Sequence, residues 1–121
     1  MARFKRPVIG LALAAVIVAM SLVLYLQRSS ATIEGQEAVL KSQLFTMRDA
    51  IDEYVSRTGK CPDSLSALAQ DKYVRSVPVD PFMKSTATWQ YTQTRTGTRL
   101  NCDVHSTSTR VARDGSRYVD W

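Results

Sequence analysis

The hydrophobic and polar positions of this 121-residue chain change period twice. Pro7 to Leu26 is a run without a charge, in which only Pro7, Gly10, Ser21 and Tyr25 are neither aliphatic nor methionine. Twenty residues at about 1.5 Å each reach roughly 30 Å as a helix, the hydrocarbon thickness of a bilayer. Pro7 is cheap there, because the first turn of a helix leaves its N–H groups unpaired anyway. The run predicts a transmembrane helix over residues 7–27. Arg3, Lys5 and Arg6 precede it and only Arg28 follows closely. That excess places residues 1–6 in the cytoplasm, and Tyr25 suits the far interface. A cleaved secretory signal is the competing reading. Against it, the run exceeds the usual apolar core of about 7–15 residues and no clear small-x-small site follows Tyr25, although Ser29, Ser30 and Ala31 are small.

From Ile33 to Arg57 the period becomes helical. Leu40, Leu44, Met47, Ile51 and Tyr54 recur at spacings of four and three, the stripe of an amphipathic helix that packs one face. Glu37 with Lys41 and Glu53 with Arg57 stand four apart in the favourable order on the exposed side. Ser29, Ser30 and Gly35 weaken the junction, so continuity with bending or fraying is expected over 28–57. Gly59 is placed to end the helix. Over 58–87, Cys61-Pro62-Asp63-Ser64 offers a turn and an N-cap for a short helix, Leu65 to Gln70, closed by Asp71-Lys72-Tyr73. The prolines of Val77-Pro78-Val79-Asp80-Pro81-Phe82 exclude helix and central strand and favour a stiff, ordered loop.

The last third, 88–121, alternates. Trp89 and Tyr91, then Leu100, Cys102 and Val104, read as the inward positions of two strands. The Thr94-Arg95-Thr96-Gly97 stretch suits a hairpin turn between them. A polar tail follows, with a turn at Asp114-Gly115-Ser116 and an aromatic pair, Tyr118 and Trp121, to dock it. The fold class is therefore α+β. A long N-terminal helix packs on a small antiparallel hairpin, with a short second helix and an irregular C-terminal loop.

Charge changes this picture little. The chain carries +5, but 3 of its 16 Lys and Arg lie in the amino-terminal tail, so 13 basic against 11 acidic residues leave +2 beyond it. That is too weak to demand a polyanion. Arg95, Arg99, Arg110, Arg113 and Arg117, near Tyr91 and Tyr118, form a loose stripe that phosphates could meet. Asp103, Asp114 and Asp120 balance it as an ordinary solvated face, and nucleic acid is not an expected partner. Cys61 and Cys102 both fall in the part read as extracytoplasmic, where thiols oxidise. A bridge and two buried unpaired cysteines remain the alternatives.

Catalytic chemistry finds no foothold in these residues. His105 lacks an assignable nucleophile and falls on the outward phase of its strand, and no phosphate loop or His-Glu-x-x-His is present. An enzyme is not expected. Asp103, Ser106, Asp114 and Asp120 could supply oxygens to calcium, although their spacing is not that of an EF-hand.

Several segments together resemble the major pseudopilin family of type II secretion, general secretion pathway protein G, and its type IV pilin-like relatives. They are Ala38-Val39-Leu40-Lys41, Met47-Arg48-Asp49-Ala50-Ile51-Asp52-Glu53-Tyr54, Thr58-Gly59-Lys60, Pro62-Asp63-Ser64-Leu65, Val77-Pro78-Val79-Asp80-Pro81-Phe82, Thr88-Trp89-Gln90, Asp103-Val104-His105-Ser106, and Asp114-Gly115-Ser116 before Tyr118 and Trp121. The resemblance covers residues 33–121 and implies a filament subunit that helps drive protein export and has no active site. Its partners would be other pilin-like subunits, the inner-membrane secretion platform and membrane lipid. Its location would be the inner membrane, spanned once, with the C-terminal domain in the periplasm.

The chain departs from that family where the leader should end. Gly10 is followed by Leu11, not Phe or Met, and the fifth position from Leu11 is Ala15, not Glu. Cleavage after Gly10 and ordinary assembly thus lack their usual signals; the alternatives are a permanently tethered pilin-like accessory protein and, from another class, an extracytoplasmic module that holds nucleic acid or another polyanion on the arginine face. In the family's calcium loop Asp114 matches one ligand position and Ser106 the loop start, but Thr109 replaces an acid. The positions of Cys61 and Cys102 are aromatic in relatives. This paired replacement implies a disulfide, closing a loop of about 40 residues and contributing about 4 kcal/mol.

Overall fold

The computed structural model describes residues 5–121, leaving aside the side chains of Lys5, Arg6 and Ser29–Ala31. Arg3, part of the expected basic tail, lies outside the described residues. Helix α1 runs over Lys5–Thr58. The described residues before Gln36 form one compact unit and Gln36–Trp121 another. Along the apolar run of the first unit the large aliphatic side chains from Val8 to Leu26 are exposed, Leu11 at 73% and Val18 at 67%. This apolar part of α1, of mean hydropathy 2.6 in its most apolar window, is long and apolar enough to cross a membrane. Ser21 donates to the Ile17 carbonyl at 2.8 Å, so the one aliphatic hydroxyl within the run is satisfied by its own helix.

In the second unit, α1 supplies the stripe read from its period. Leu40, Leu44, Met47 and Ile51 are buried with Ala50, and Tyr54 is half-buried with its ring edge-on to Tyr73. Each large aliphatic side chain so removed from water contributes roughly 1.5–3 kcal/mol. Gly59 ends the helix at φ +71°, its N–H bonded to Val55, where a side chain would be strained. Helix α2 occupies Leu65–Gln70, with Ser64 capping the Ala67 N–H and Leu65 and Leu68 turned inward.

Strands β1 (Gln90–Thr96) and β2 (Arg99–His105) form a two-stranded antiparallel sheet. The register pairs Gln90 with His105 and Thr96 with Arg99. The turn is tighter than the sequence suggested. Thr94, Arg95 and Thr96 remain in β1, and the reversal takes only Gly97 and Thr98. Gly97 alone supplies a positive φ, +62°, the pattern of a type II′ hairpin. Trp89 and Val104 reach the core, whereas the distal half of the ribbon is exposed.

The double-proline loop is ordered by a residue the apolar reading passed over. Asp80 is fully buried. Its Oδ1 accepts the N–H groups of Phe82 at 2.8 Å and Met83 at 3.0 Å, and its Oδ2 accepts the Ser106 hydroxyl. An aspartate before proline initiates a turn in this way, its carboxylate standing in for a carbonyl two residues back. Trp89 Nε1 donates to the Pro78 carbonyl at 2.8 Å and Gln43 Nε2 to that of Val79 at 2.8 Å, fastening the loop to strand and helix.

Candidate functional site

Chemistry-bearing side chains of the second unit converge where the tail crosses α1. Arg48, one turn along from Leu44, is half-buried and directs Nε and Nη2 inward. Nε donates to Asp103 Oδ1 at 2.9 Å, and Nη2 donates to the main-chain oxygens of Val104 at 2.9 Å and Trp121 at 2.7 Å. His105 completes the cluster. Its Nδ1 lies 2.7 Å from the Trp121 oxygen and its Nε2 3.2 Å from Asp103 Oδ2. An oxygen at that distance requires the proton on Nδ1, so the 3.5 Å approach of Arg48 Nη2 to the same atom is a contact between donors. Burial alone would raise the Asp103 carboxyl, but the Val104 N–H and the Arg48 and His105 cations prevail and hold it below the usual carboxylate range.

His105 therefore is not the exposed strand histidine expected from alternation. It stands at the end of β2, where the returning tail covers it, and oxygens engage both ring nitrogens. The outward phase at the strand's end was covered by residues remote in sequence, which periodicity does not register.

A second cluster fastens the tail. Tyr118 is 1% exposed, stacks on Phe82 with centroids 3.9 Å apart, and meets Trp121 edge-on at 4.9 Å. Its hydroxyl donates to Glu37 Oε1 at 2.7 Å, and the Arg113 N–H donates to the same oxygen at 2.9 Å. Burial, with Glu37 beside it, pushes the Tyr118 phenol up to about 12. Glu37 thus turns to the tail in place of the expected exposed pair with Lys41, whose ammonium lies 4.7 Å from the Trp121 ring centre. The pair Glu53–Arg57 forms as read, at 2.9 Å. Lys41, Phe45, Arg48, Asp52, Asp114 and Trp121 line an open groove of about 490 Å³.

The candidate calcium oxygens are directed to different partners. Asp103 pairs with Arg48, Ser106 with Asp80, and Asp120 with Arg117 at 3.1 Å. Asp114 accepts both the hydroxyl and the N–H of Ser116, which hold its carboxyl below the usual range, and Thr109 is exposed. No group of three or more His, Cys, Asp or Glu among the described residues is arranged to hold a metal ion. The arginines of the loose stripe are also dispersed. Arg110 lies over Phe82, Arg117 on Asp120 and Arg95 on the Gly97 carbonyl. Cys61 and Cys102 are bonded as a disulfide, with Cα atoms 5.9 Å apart. The bridge ties the end of α1 to β2. Beside it, Tyr91 Oη and Gln93 Nε2 both donate to the Pro62 carbonyl, at 2.6 and 3.1 Å.

These features define a small disulfide-stapled α+β domain whose first helix continues into a segment able to cross a bilayer. No protein-family model, curated protein or solved structure matches the chain.

Proposed function

We propose that this protein is a pilin-like structural subunit of a type II secretion or type IV pilus-like machine, anchored in the inner membrane and assembling through its N-terminal helix. The observation that carries the reading is the division of labour along α1. Its first part presents aliphatic side chains on all sides, and its second supplies the stripe of the domain core. An all-round apolar helix is suited to bilayer or to a bundle of like helices. The Cys61–Cys102 bridge supports an extracytoplasmic domain, since disulfides persist in oxidising compartments. The basic excess before Pro7 then sets the amino terminus in the cytoplasm.

A second reading, a permanently tethered pilin-like protein, is favoured by Leu11 after Gly10 and by Ala15, which leave the apolar helix without a carboxylate. Two measurements on protein in its native membrane separate them. A photo-crosslinking residue at Val16 gives a ladder of subunit multiples if the helices pack together, and monomer alone overturns assembly. Intact mass reports whether the residues through Gly10 have been removed. A full-length mass without a ladder establishes the tethered form.

A further inference from the structure

The hairpin leaves the β1 edge open along its whole length and the β2 edge open in part, and the register shows which groups line each. In a two-residue hairpin the pair flanking the turn, Thr96 with Arg99, exchanges both hydrogen bonds, so every second pair does likewise: Thr94 with Asn101, Thr92 with Asp103, Gln90 with His105. The intervening residues turn their N–H and C=O groups outward. On β2 the outward groups belong to Leu100, Cys102 and Val104, and those of Val104 are occupied, its N–H by Asp103 Oδ1 at 2.8 Å and its C=O by Arg48, so β2 offers a shorter free stretch than β1. On β1 the outward groups belong to Tyr91, Gln93 and Arg95. No backbone bond beyond the hairpin ladder engages them among the described residues. The Cys61–Pro62 turn does not cover this edge, because it meets the Tyr91, Gln93 and Cys102 side chains on one face of the sheet.

We infer that β1 pairs with β1 of a second copy of this chain, edge to edge and antiparallel, making a four-stranded sheet about a twofold axis. The sequence of the strand is self-complementary in that register. Gln93 lies opposite the copy's Gln93, so the outward groups of Tyr91, Gln93 and Arg95 meet those of Arg95, Gln93 and Tyr91, and six backbone hydrogen bonds can form. Arg95 stands across from a Tyr91 ring, a cation opposite an aromatic, and four positions from the other Arg95 along the strand. Thr92 and Thr94 alternate with these on the opposite face and oppose each other across the axis. Such an edge buries little area and pairs weakly in solution. Confinement of both copies to one membrane raises their effective concentration, as a tether does.

This surface is separate from the N-terminal helix, so its failure leaves helix-mediated assembly standing, and failure of that assembly leaves the edge contact testable. The test uses the full chain in detergent micelles, with mass measured by sedimentation over a hundredfold range of protein concentration. Gln93→Pro removes an outward N–H and leaves the β1–β2 ladder intact, since proline is accepted on a strand edge; it also deletes the Gln93 side-chain bond to Pro62, which Gln93→Ala deletes alone as the control. Arg95→Glu keeps every outward N–H and C=O of the strand, loses the side-chain bond to the Gly97 carbonyl, and removes the cation opposite Tyr91. The parent should form dimers, Gln93→Pro should weaken them at least tenfold, and Arg95→Glu by a few fold. The Cys61–Cys102 bridge and the thermal midpoint verify that each variant is folded. A parent that stays monomeric over the range, or dimers of equal strength in folded Gln93→Pro, overturns the inference.

Discussion

Arg48 is the residue that joins α1 to both β2 and the tail through one side chain. One guanidinium satisfies a carboxylate and two main-chain oxygens contributed by β2 and the tail, segments more than fifty positions away in sequence. Its removal leaves the Val104 carbonyl without a donor and takes one donor each from Asp103, which keeps the Val104 N–H, and from the Trp121 oxygen, which keeps His105 Nδ1, and hydrogen bonds to charged groups are worth more than neutral ones. Arg48→Met keeps the stem and deletes the fork. It should lower stability by about 2 kcal/mol, which for a domain of this size is roughly 10 °C in thermal midpoint. Trp121, whose indole N–H is held by Ser116 Oγ at 2.7 Å, reports the tail directly. Its fluorescence should shift to the red in Arg48→Met below the melting transition if the guanidinium fastens the tail. An unchanged spectrum with a lowered midpoint would mean that the aromatic contacts of Tyr118 suffice.

Among the elements the hairpin is the one least supported by packing, because two strands bury little between them and only Trp89 and Val104 reach the core fully. The bridge to Cys61 therefore carries weight. Changing Cys61 and Cys102 together to Ser removes a constraint across 41 positions and should lower stability by about 4 kcal/mol in the chain-entropy account. Thermal melts of parent and double variant without reductant measure it, and equal midpoints would show that the ribbon is held by the Pro62 contacts alone. The helices, the strand phases and the Ser64 cap were legible because each rests on a local period or a local hydrogen bond. Asp80 and Glu37 were not. Asp80 sat unnoticed between apolar neighbours, although Asp before Pro is a turn signal, and its bond to Ser106 joins two loops. Glu37 was assigned to Lys41 by spacing, yet Tyr118, 81 positions away, arrives to claim it.

For the molecule as a whole, a lowered carboxyl and two raised phenols bound the pH range of full stability, the second phenol being Tyr91, which burial and the neighbouring Asp63 push up to about 12. Asp103, held below its ordinary value, contributes stability above the carboxylate range that fades as pH falls through it. Tyr118, raised to about 12, works in the other direction. The folded state keeps the phenol proton that the unfolded chain releases near 10, so stability is complete below about 10 and is lost as pH rises toward 12, by about 2 kcal/mol. Tyr118→Phe should begin less stable, through loss of the bond to Glu37, and then fall less steeply over that interval. The apolar part of α1 sets the remaining condition. A helix with aliphatic side chains on every side is stable only where water is excluded, and the protein should resist alkaline carbonate washing of membranes. One arginine at its centre costs about 2.5–3.5 kcal/mol on insertion, because a charge must be drawn from water into hydrocarbon. Ile17→Arg should therefore move a large share of the protein to the washed fraction, whereas Thr32→Arg, beyond the apolar run, should leave it in the membrane. Equal retention of both variants would mean that the segment binds protein or lies along the surface and does not cross the bilayer.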